Sequence, residues 1–231
     1  STRWSIVLEE GAGEPATQRM LERLVSRYWY PLYAFLRRRG HASHDAQDLT
    51  QGFFSTLLQR DGLAGIDRER GRFRTYLLGA LNHYLSEVRR RDGAQKRGGG
   101  KTVLSIDLEL AEQRFSNEPE DALSPEKLFD REWALALLGE VADRLQSDYA
   151  QRGKGEVFDM LSEFLTEKPD KGTYPRVAAQ LGVSEGNVRV MVNRIRKRYQ
   201  ALLRETIGEL VSSEDEVADE LDHLFAAFAC E

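Results

Sequence analysis

The sequence predicts an all-α protein. Nearly every long segment repeats its apolar residues at spacings of three and four, and no convincing alternation of apolar and polar residues indicates a strand. Residues that favour helix starts and stops bracket these segments. The clearest helix carries its core-facing residues at Phe73, Tyr76, Leu77, Ala80, Leu81, Tyr84, Leu85 and Val88.

Length and composition indicate two packed domains. The chain has 231 residues, 41% of them apolar, and a net charge of −5. The only cysteine, Cys230, allows no intramolecular disulfide, and no apolar run is long enough to span a membrane, so a cytoplasmic protein is expected. His41 and His44 stand beside Asp45 without further ligands at metal spacing, so we expect neither a metal nor a cofactor.

The first half predicts one helical domain over residues 16–97, after an N-terminal extension over residues 1–15. A helix is expected from Pro15 to Arg39, with a break near Tyr30 that places Pro31 in the first turn of a second helix. Gly40 is a stop signal, and Ser43 caps a helix that continues to about residue 60. Residues 61–71 are interpreted as a loop before the helix that begins at Phe73.

The second half predicts an acidic linker, a second domain and a tail. Three consecutive glycines open the linker, over residues 98–123, and Ser124 with Pro125 starts the domain over residues 124–206. Residues 207–231 form an acidic extension. Ser213 and Glu216 have the spacing of a capping box, which predicts a last amphipathic helix there.

Within the second domain, residues 173–204 have the pattern of a helix-turn-helix. A short helix ends at Leu181, Gly182 opens a tight turn, and Ser184 caps a long helix whose buried side is centred on Val188. Arg and Asn on the opposite side suit guanine and adenine edges or phosphates. A solvated basic helix of an interaction domain is the alternative. The candidate DNA-binding residues are Ser184, Glu185, Gly186, Asn187, Arg189, Val190, Asn193, Arg194, Arg196 and Lys197.

A second basic segment lies in the first domain. Between Arg68 and Lys101, ten Lys and Arg residues stand against three acids. With the apolar side of the Phe73 helix turned inward, small polar groups and arginines face outward, which suits contacts to partly opened DNA. The candidate residues are Arg70, Arg72, Arg74, Thr75, Asn82, His83, Ser86, Arg89 and Arg90.

The order of these features resembles an extracytoplasmic-function sigma factor, a member of the sigma-70 family of bacterial RNA polymerase. The resemblance covers residues 16–205 and rests on Asp45–Phe54, Phe73–Leu77, Val177–Ser184 and Arg194–Tyr199. It implies a region-2-like bundle that binds the polymerase clamp helices and the minus-ten element. It also implies a linker that threads toward the active centre, and a region-4-like domain that binds the minus-thirty-five element and the flap. Such a factor performs no catalysis.

The expected polymerase-gripping helix is poorer in acid than is usual for that family. Asp45, Asp48, Gln51, Gly52 and Ser55 are the candidate polymerase-binding residues, and Gly52 is expected on the exposed face. Phosphorylation there by a Ser/Thr kinase would add negative charge opposite a basic polymerase surface. Ser55 is best placed, then Thr56 and Thr50; the alternative is that the two acids and apolar contacts suffice.

The tail is the second departure from the family. From Glu205 onward the sequence has nine acids and no Lys or Arg. Its helix is expected to pack on the second domain; the alternatives are that it covers a basic DNA-binding surface or docks a regulator such as an anti-sigma factor.

Three other functional classes compete with a sigma factor. A helix-turn-helix regulator of duplex operators would explain the second domain, but not the basic segment around the Phe73 helix. A helical adaptor without DNA contacts is the third class. An enzyme is least expected, because the sequence has no Gly-rich phosphate loop, metal cluster or convincing nucleophile constellation.

Overall fold

A computed structural model describes residues 14–59, 73–92, 108–117, 123–166, 169–211 and 213–229. These residues form nine α-helices and no strand, which confirms the all-α class. None of the helices in these segments combines the length and apolar character needed to cross a lipid bilayer. In chain order the helices are α1 (Glu14–Arg38), α2 (Ser43–Gln59), α3 (Phe73–Asp92), α4 (Leu108–Ser116), α5 (Pro125–Gln151), α6 (Gly155–Thr166), α7 (Thr173–Leu181), α8 (Glu185–Gly208) and α9 (Glu214–Ala226).

The chain divides into two compact units whose bounds differ from the expected domains. Unit 1 comprises Ser1–Ala136 together with Gly208–Glu231, and unit 2 comprises Leu137–Ile207. The first division falls inside α5 rather than in the expected linker, because the first turns of α5 pack into the core of unit 1. Their residues Phe129 and Trp133 are fully buried.

Helix α1 is continuous through Pro31, so the expected break near Tyr30 does not occur. Proline removes one backbone hydrogen bond and costs about 3 kcal/mol inside a helix. Burial on both sides of Pro31 opposes this cost, since residues 27–29 and 31–36 are all buried. The helix ends as expected at Gly40, whose φ of 88° allows the His41 amide to donate to the Leu36 carbonyl at 3.2 Å.

The core of unit 1 joins helices that are distant in sequence. Helix α1 packs on α2 and α4, and α2 packs on α3. Trp133 of α5 donates its indole N–H to the Tyr28 hydroxyl of α1 at 3.2 Å, so this buried donor has a partner in the core. Burial raises the pKa of Tyr28 to about 12, and its phenol stays neutral.

Part of the expected linker is a helix fixed to unit 1. Glu112 of α4 accepts hydrogen bonds from Tyr33 and Arg37 of α1, the latter through Nε at 2.8 Å. Arg114 pairs with buried Glu132 and lies 3.9 Å from the centre of the Tyr30 ring. The described part of residues 98–123 therefore has its own tertiary contacts.

The acidic tail helix also belongs to unit 1, which corrects the expectation that it packs on the second domain. Val217, Leu221 and Leu224 form the buried side of α9, and Glu220 forms an ion pair with Arg74 of α3. The cap expected at its start is confirmed, because the Ser213 hydroxyl accepts a hydrogen bond from the Glu216 amide at 3.3 Å.

Unit 2 holds the segment predicted as a helix-turn-helix, and the signals for its turn and for the start of α8 act as expected. Gly182 ends α7 with a φ of 65°, and the Val183 amide donates to the Ala178 carbonyl at 3.0 Å. The Ser184 hydroxyl then caps α8 by accepting from the Asn187 amide at 3.3 Å. Val188, Val192 and Ile195 point into the core, which leaves the opposite side of α8 toward solvent.

Candidate nucleic-acid interfaces

The outer side of α8 presents every candidate residue of the helix-turn-helix to solvent. The ten residues named from the sequence between Ser184 and Lys197 are all exposed. Their helical spacing leaves the core to Val188, Val192 and Ile195 and collects Asn and Arg side chains on one face. Asn and Arg side chains are the groups that can form paired hydrogen bonds with adenine and guanine edges in a major groove.

Some cations of α8 are bound by other groups of unit 2, and others are not. Arg196 donates twice to the Phe164 carbonyl, at 2.8 and 3.1 Å, and Arg198 donates to Asp148 at 2.6 Å. Arg189 lies 4.3 Å from the centre of the Tyr174 ring. Within the described part of the chain, Arg194 and Lys197 make no hydrogen bond or ion pair, so their charges are available to phosphates or base edges.

Two further residues of α8 differ in position, one on the exposed side and one on the side that faces the core. Val190 is 49% exposed in the middle of the basic side, where an apolar group suits the thymine methyl. Tyr199 lies farther along the helix, half-buried, and its hydroxyl donates to the Leu138 carbonyl at 3.0 Å. Burial raises the pKa of Tyr199 to about 12, so this phenol remains a neutral donor that fixes α8 to α5.

Helix α3 provides the second candidate interface, in unit 1. Thr75, Asn82, His83, Ser86, Arg89 and Arg90 are all exposed, as the helical pattern predicted. Arg39, in the turn that follows α1, donates a hydrogen bond to the Asn82 side chain at 2.6 Å and adds another cation to this face. Arg70 and Arg72 lie outside the described residues.

Arg74 is the exception, because it is buried rather than offered to DNA. Its guanidinium lies 3.1 Å from Glu220 of α9 and 3.2 Å from Asp130 of α5. It also lies 3.9 Å from the centre of the Trp133 ring. The periodicity of α3 could not reveal this, since all three partners come from distant parts of the chain.

The candidate polymerase-binding face lies on α2. Asp45 and Asp48 are exposed, and Gln51 and Ser55 are half-buried. Gly52 differs from the expected open position, because the hydroxyl end of Tyr84 of α3 lies against the helix there. A Cβ atom on Gly52 would stand 2.2 Å from the Tyr84 hydroxyl oxygen.

The three candidate phosphorylation sites differ in access. Thr50 is fully buried, and its hydroxyl donates to the Ala46 carbonyl at 2.7 Å, so a kinase cannot reach it in the folded protein. Thr56 is half-buried and donates to the Gly52 carbonyl at 2.8 Å. Ser55 is half-buried as well, and it remains the best placed of the three.

Sequence reasoning missed two buried acids that organise unit 1. Glu220 was noted only as one charge of an acidic tail, although it lies within the buried stripe of α9 beside Val217, Leu221 and Leu224. Its position could have indicated a buried ion pair, since a charged residue on the core-facing side of a helix needs an oppositely charged or hydrogen-bonding partner. Glu132 had the same signal, one residue before Trp133 in α5.

Comparisons with known proteins add no assignment. Searches against protein-family models, curated proteins and solved structures found no match. Among the described residues, no group of three or more His, Cys, Asp or Glu side chains is arranged to hold a metal ion.

Proposed function

We propose that the chain is a transcription initiation factor of bacterial RNA polymerase, of the extracytoplasmic-function sigma class. In this proposal α8 binds duplex promoter DNA at the minus-thirty-five element. Helix α3 contacts the minus-ten element and helps to open it, and α2 binds the polymerase clamp. The factor is cytoplasmic and brings no catalytic group of its own, because the polymerase supplies the chemistry.

The outer side of α8 carries this proposal. A capped helix follows a left-handed glycine turn, and its exposed side holds Asn187, Asn193 and Arg194 next to Lys197. Asn and Arg side chains can each make paired hydrogen bonds to adenine or guanine in the major groove. Lys197 and the neighbouring arginines add phosphate contacts, which are independent of sequence.

The exposed face of α3 is the feature that favours a sigma factor over an ordinary regulator in this proposal. Thr75, Asn82 and Ser86 offer small polar groups, and Arg89 and Arg90 add charge at the same helix face. Such a mixture suits the backbone and bases of DNA that is partly single-stranded. An operator-binding helix-turn-helix protein has no need for a second basic face of this kind.

The acidic side of α2 supports the polymerase contact. Asp45 and Asp48 project into solvent, and a phosphate on Ser55 would add negative charge to the same helix. In this part of the proposal a Ser/Thr kinase increases the affinity for core polymerase. A helix-turn-helix regulator that binds duplex operators remains the second candidate function, favoured by the α8 geometry alone.

Run-off transcription with core polymerase and genomic DNA fragments tests the proposal. The unmodified chain, with or without kinase treatment, should direct initiation at defined sites. The double variant Arg194→Ala, Lys197→Ala should lose most of this activity. Arg198→Ala is the matched control, because Arg198 already pairs with Asp148 and its removal should leave promoter choice unchanged.

Two outcomes decide between the candidate functions. Failure of both the untreated and the phosphorylated chain to associate with core polymerase would overturn the sigma-factor proposal. If the chain then bound symmetric duplex sites as a dimer, the operator-binding regulator would be correct.

Ser55→Ala should abolish any gain in activity from the kinase, while Thr50→Ala should not affect phosphorylation, since Thr50 is fully buried.

A further inference from the structure

We propose that the acidic helix α9 is an autoinhibitory segment that lowers the affinity of unit 1 for nucleic acid. The inference rests on the proposed function and adds a means of regulating the α3 interface. Its basis is the contact between Glu220 of α9 and Arg74 in the first turn of α3. The sequence predicts Arg74 as a DNA-binding residue, but in the structure its guanidinium is paired with Glu220 of the tail helix.

The contact belongs to a buried junction formed by Arg74, Glu220, Asp130 and Trp133. Arg74 is 5% exposed and Glu220 is 4% exposed, and their charged groups are 3.1 Å apart. Asp130 binds a second nitrogen of the same guanidinium, and the Trp133 ring covers its face. Removing one partner from such a junction leaves a buried charge with fewer contacts, so Glu220 is a strong determinant of where α9 docks.

The outer side of α9 carries the inhibitory charge. Its exposed acids are Glu214, Asp215, Glu216, Asp219 and Asp222, and the helix contains no Lys or Arg. A helix of 13 residues is about 20 Å long, so these charges lie on the order of one Debye length from the Arg74 junction. Phosphates that approach the first turn of α3 are therefore repelled while α9 is docked.

The apolar part of this docking is small, because the helix is short. Only Val217, Leu221 and Leu224 provide a buried apolar side, together with Glu220. An isolated helix of this length is marginal in water, so α9 would lose its helical structure when it leaves unit 1. Nucleic acid and docked α9 then compete, and each weakens the binding of the other by the same factor.

The experiment compares Glu220→Gln with Asp222→Asn in the full chain. Both changes remove one negative charge, but Asp222 is exposed and Glu220 is buried against Arg74. Each is made in a background of Arg194→Ala and Lys197→Ala, which weakens the α8 interface. The probe is a fluorescein-labelled single-stranded DNA of mixed sequence. Glu220→Gln should tighten its binding by at least about fivefold, the lower end of ordinary allosteric coupling, and Asp222→Asn by less than about twofold.

A second measurement needs no substitution. Hydrogen exchange at the amides of Glu214–Ala226 should become faster when the single-stranded DNA is added to the unmodified chain. Equal affinities of the two variants, or unchanged exchange in a DNA-bound chain, would overturn the inference and leave the proposed function standing. If Glu220→Gln unfolds, the exchange result decides alone. If the unmodified chain binds no single-stranded DNA, the minus-ten part of the proposed function fails, and the inference fails with it.

Discussion

At Gly52 the hydroxyl end of Tyr84 lies against helix α2. An added Cβ would lie 2.2 Å from the Tyr84 hydroxyl oxygen and 3.3 Å from the ring carbon that bears it. Glycine inside a helix costs about 1 kcal/mol relative to alanine. Here the small residue permits a close approach between α2 and α3, so its effect on helix formation cannot be judged from propensity alone.

We expect Gly52→Ala to lower the free energy of unfolding by about 1 kcal/mol. The gain in helix propensity is offset by displacement of the Tyr84 ring, since overpacking costs about 1–3 kcal/mol. The matched control is Gly79→Ala on α3, where an added Cβ meets nothing within 4 Å, and it should raise stability by up to about 1 kcal/mol. Urea denaturation followed by circular dichroism measures both. Adding Tyr84→Phe to Gly52→Ala should recover part of the loss, and equal stabilisation by the two alanines would contradict the close approach.

Among the elements, α4 is a helix with little apolar burial that is held by charged contacts. It buries one apolar side chain, Ala111, and is fixed to α1 through Glu112. Burial alone would raise the pKa of Glu112, but the hydrogen bonds from Tyr33 and Arg37 and the Arg37 charge outweigh it and hold the pKa below its usual value. Burial raises the pKa of Tyr33, and the neighbouring Glu112 carboxylate raises it further, so the phenol stays a donor.

This lowered pKa makes the docking of α4 sensitive to acid. The contribution of Glu112 to stability is fully present above the unfolded pKa, about 4.3 for a glutamate, and disappears as the pH falls through the lower pKa of the folded state. The difference in unfolding free energy between the unmodified chain and Glu112→Gln should therefore be constant above about pH 5 and shrink below about pH 4. Urea titrations across this range measure the difference. A gap that stayed constant down to pH 3 would show that the carboxylate is not held by Tyr33 and Arg37.

Over the whole molecule, the sequence patterns predicted correctly those features that depend on residues close together in the chain. The apolar spacing of α3, the glycine turn at Gly182 and the caps at Ser184 and Ser213 each depend on residues within a few positions of one another. The junction of Arg74 and Glu220 joins residues 146 positions apart, and Glu112 lies 79 positions from Tyr33. No local periodicity encodes such pairs, so the sequence did not predict the contacts that hold α4 and α9 in unit 1.

The proposed function also makes a prediction about salt that involves both basic interfaces. Each phosphate contact made by a cation steepens the fall of log affinity with log salt by about 0.9 on duplex DNA. Arg194 of α8 and Arg89 of α3 are both exposed and make no ion pair within the described residues. On a promoter fragment with bound polymerase, Arg194→Ala and Arg89→Ala should each reduce the slope by about 1, and the double variant by about 2.

Fluorescence anisotropy between about 50 and 200 mM salt gives these slopes. Arg198→Ala should leave the slope near that of the unmodified chain, because its guanidinium is held by Asp148. If the double variant had the slope of either single variant, the two interfaces would not contact the same DNA at the same time. The formal net charge of −5 means that the chain as a whole is repelled by DNA, and because polymerase is present in every sample, the difference in slope between variants reports the local cationic faces of this chain.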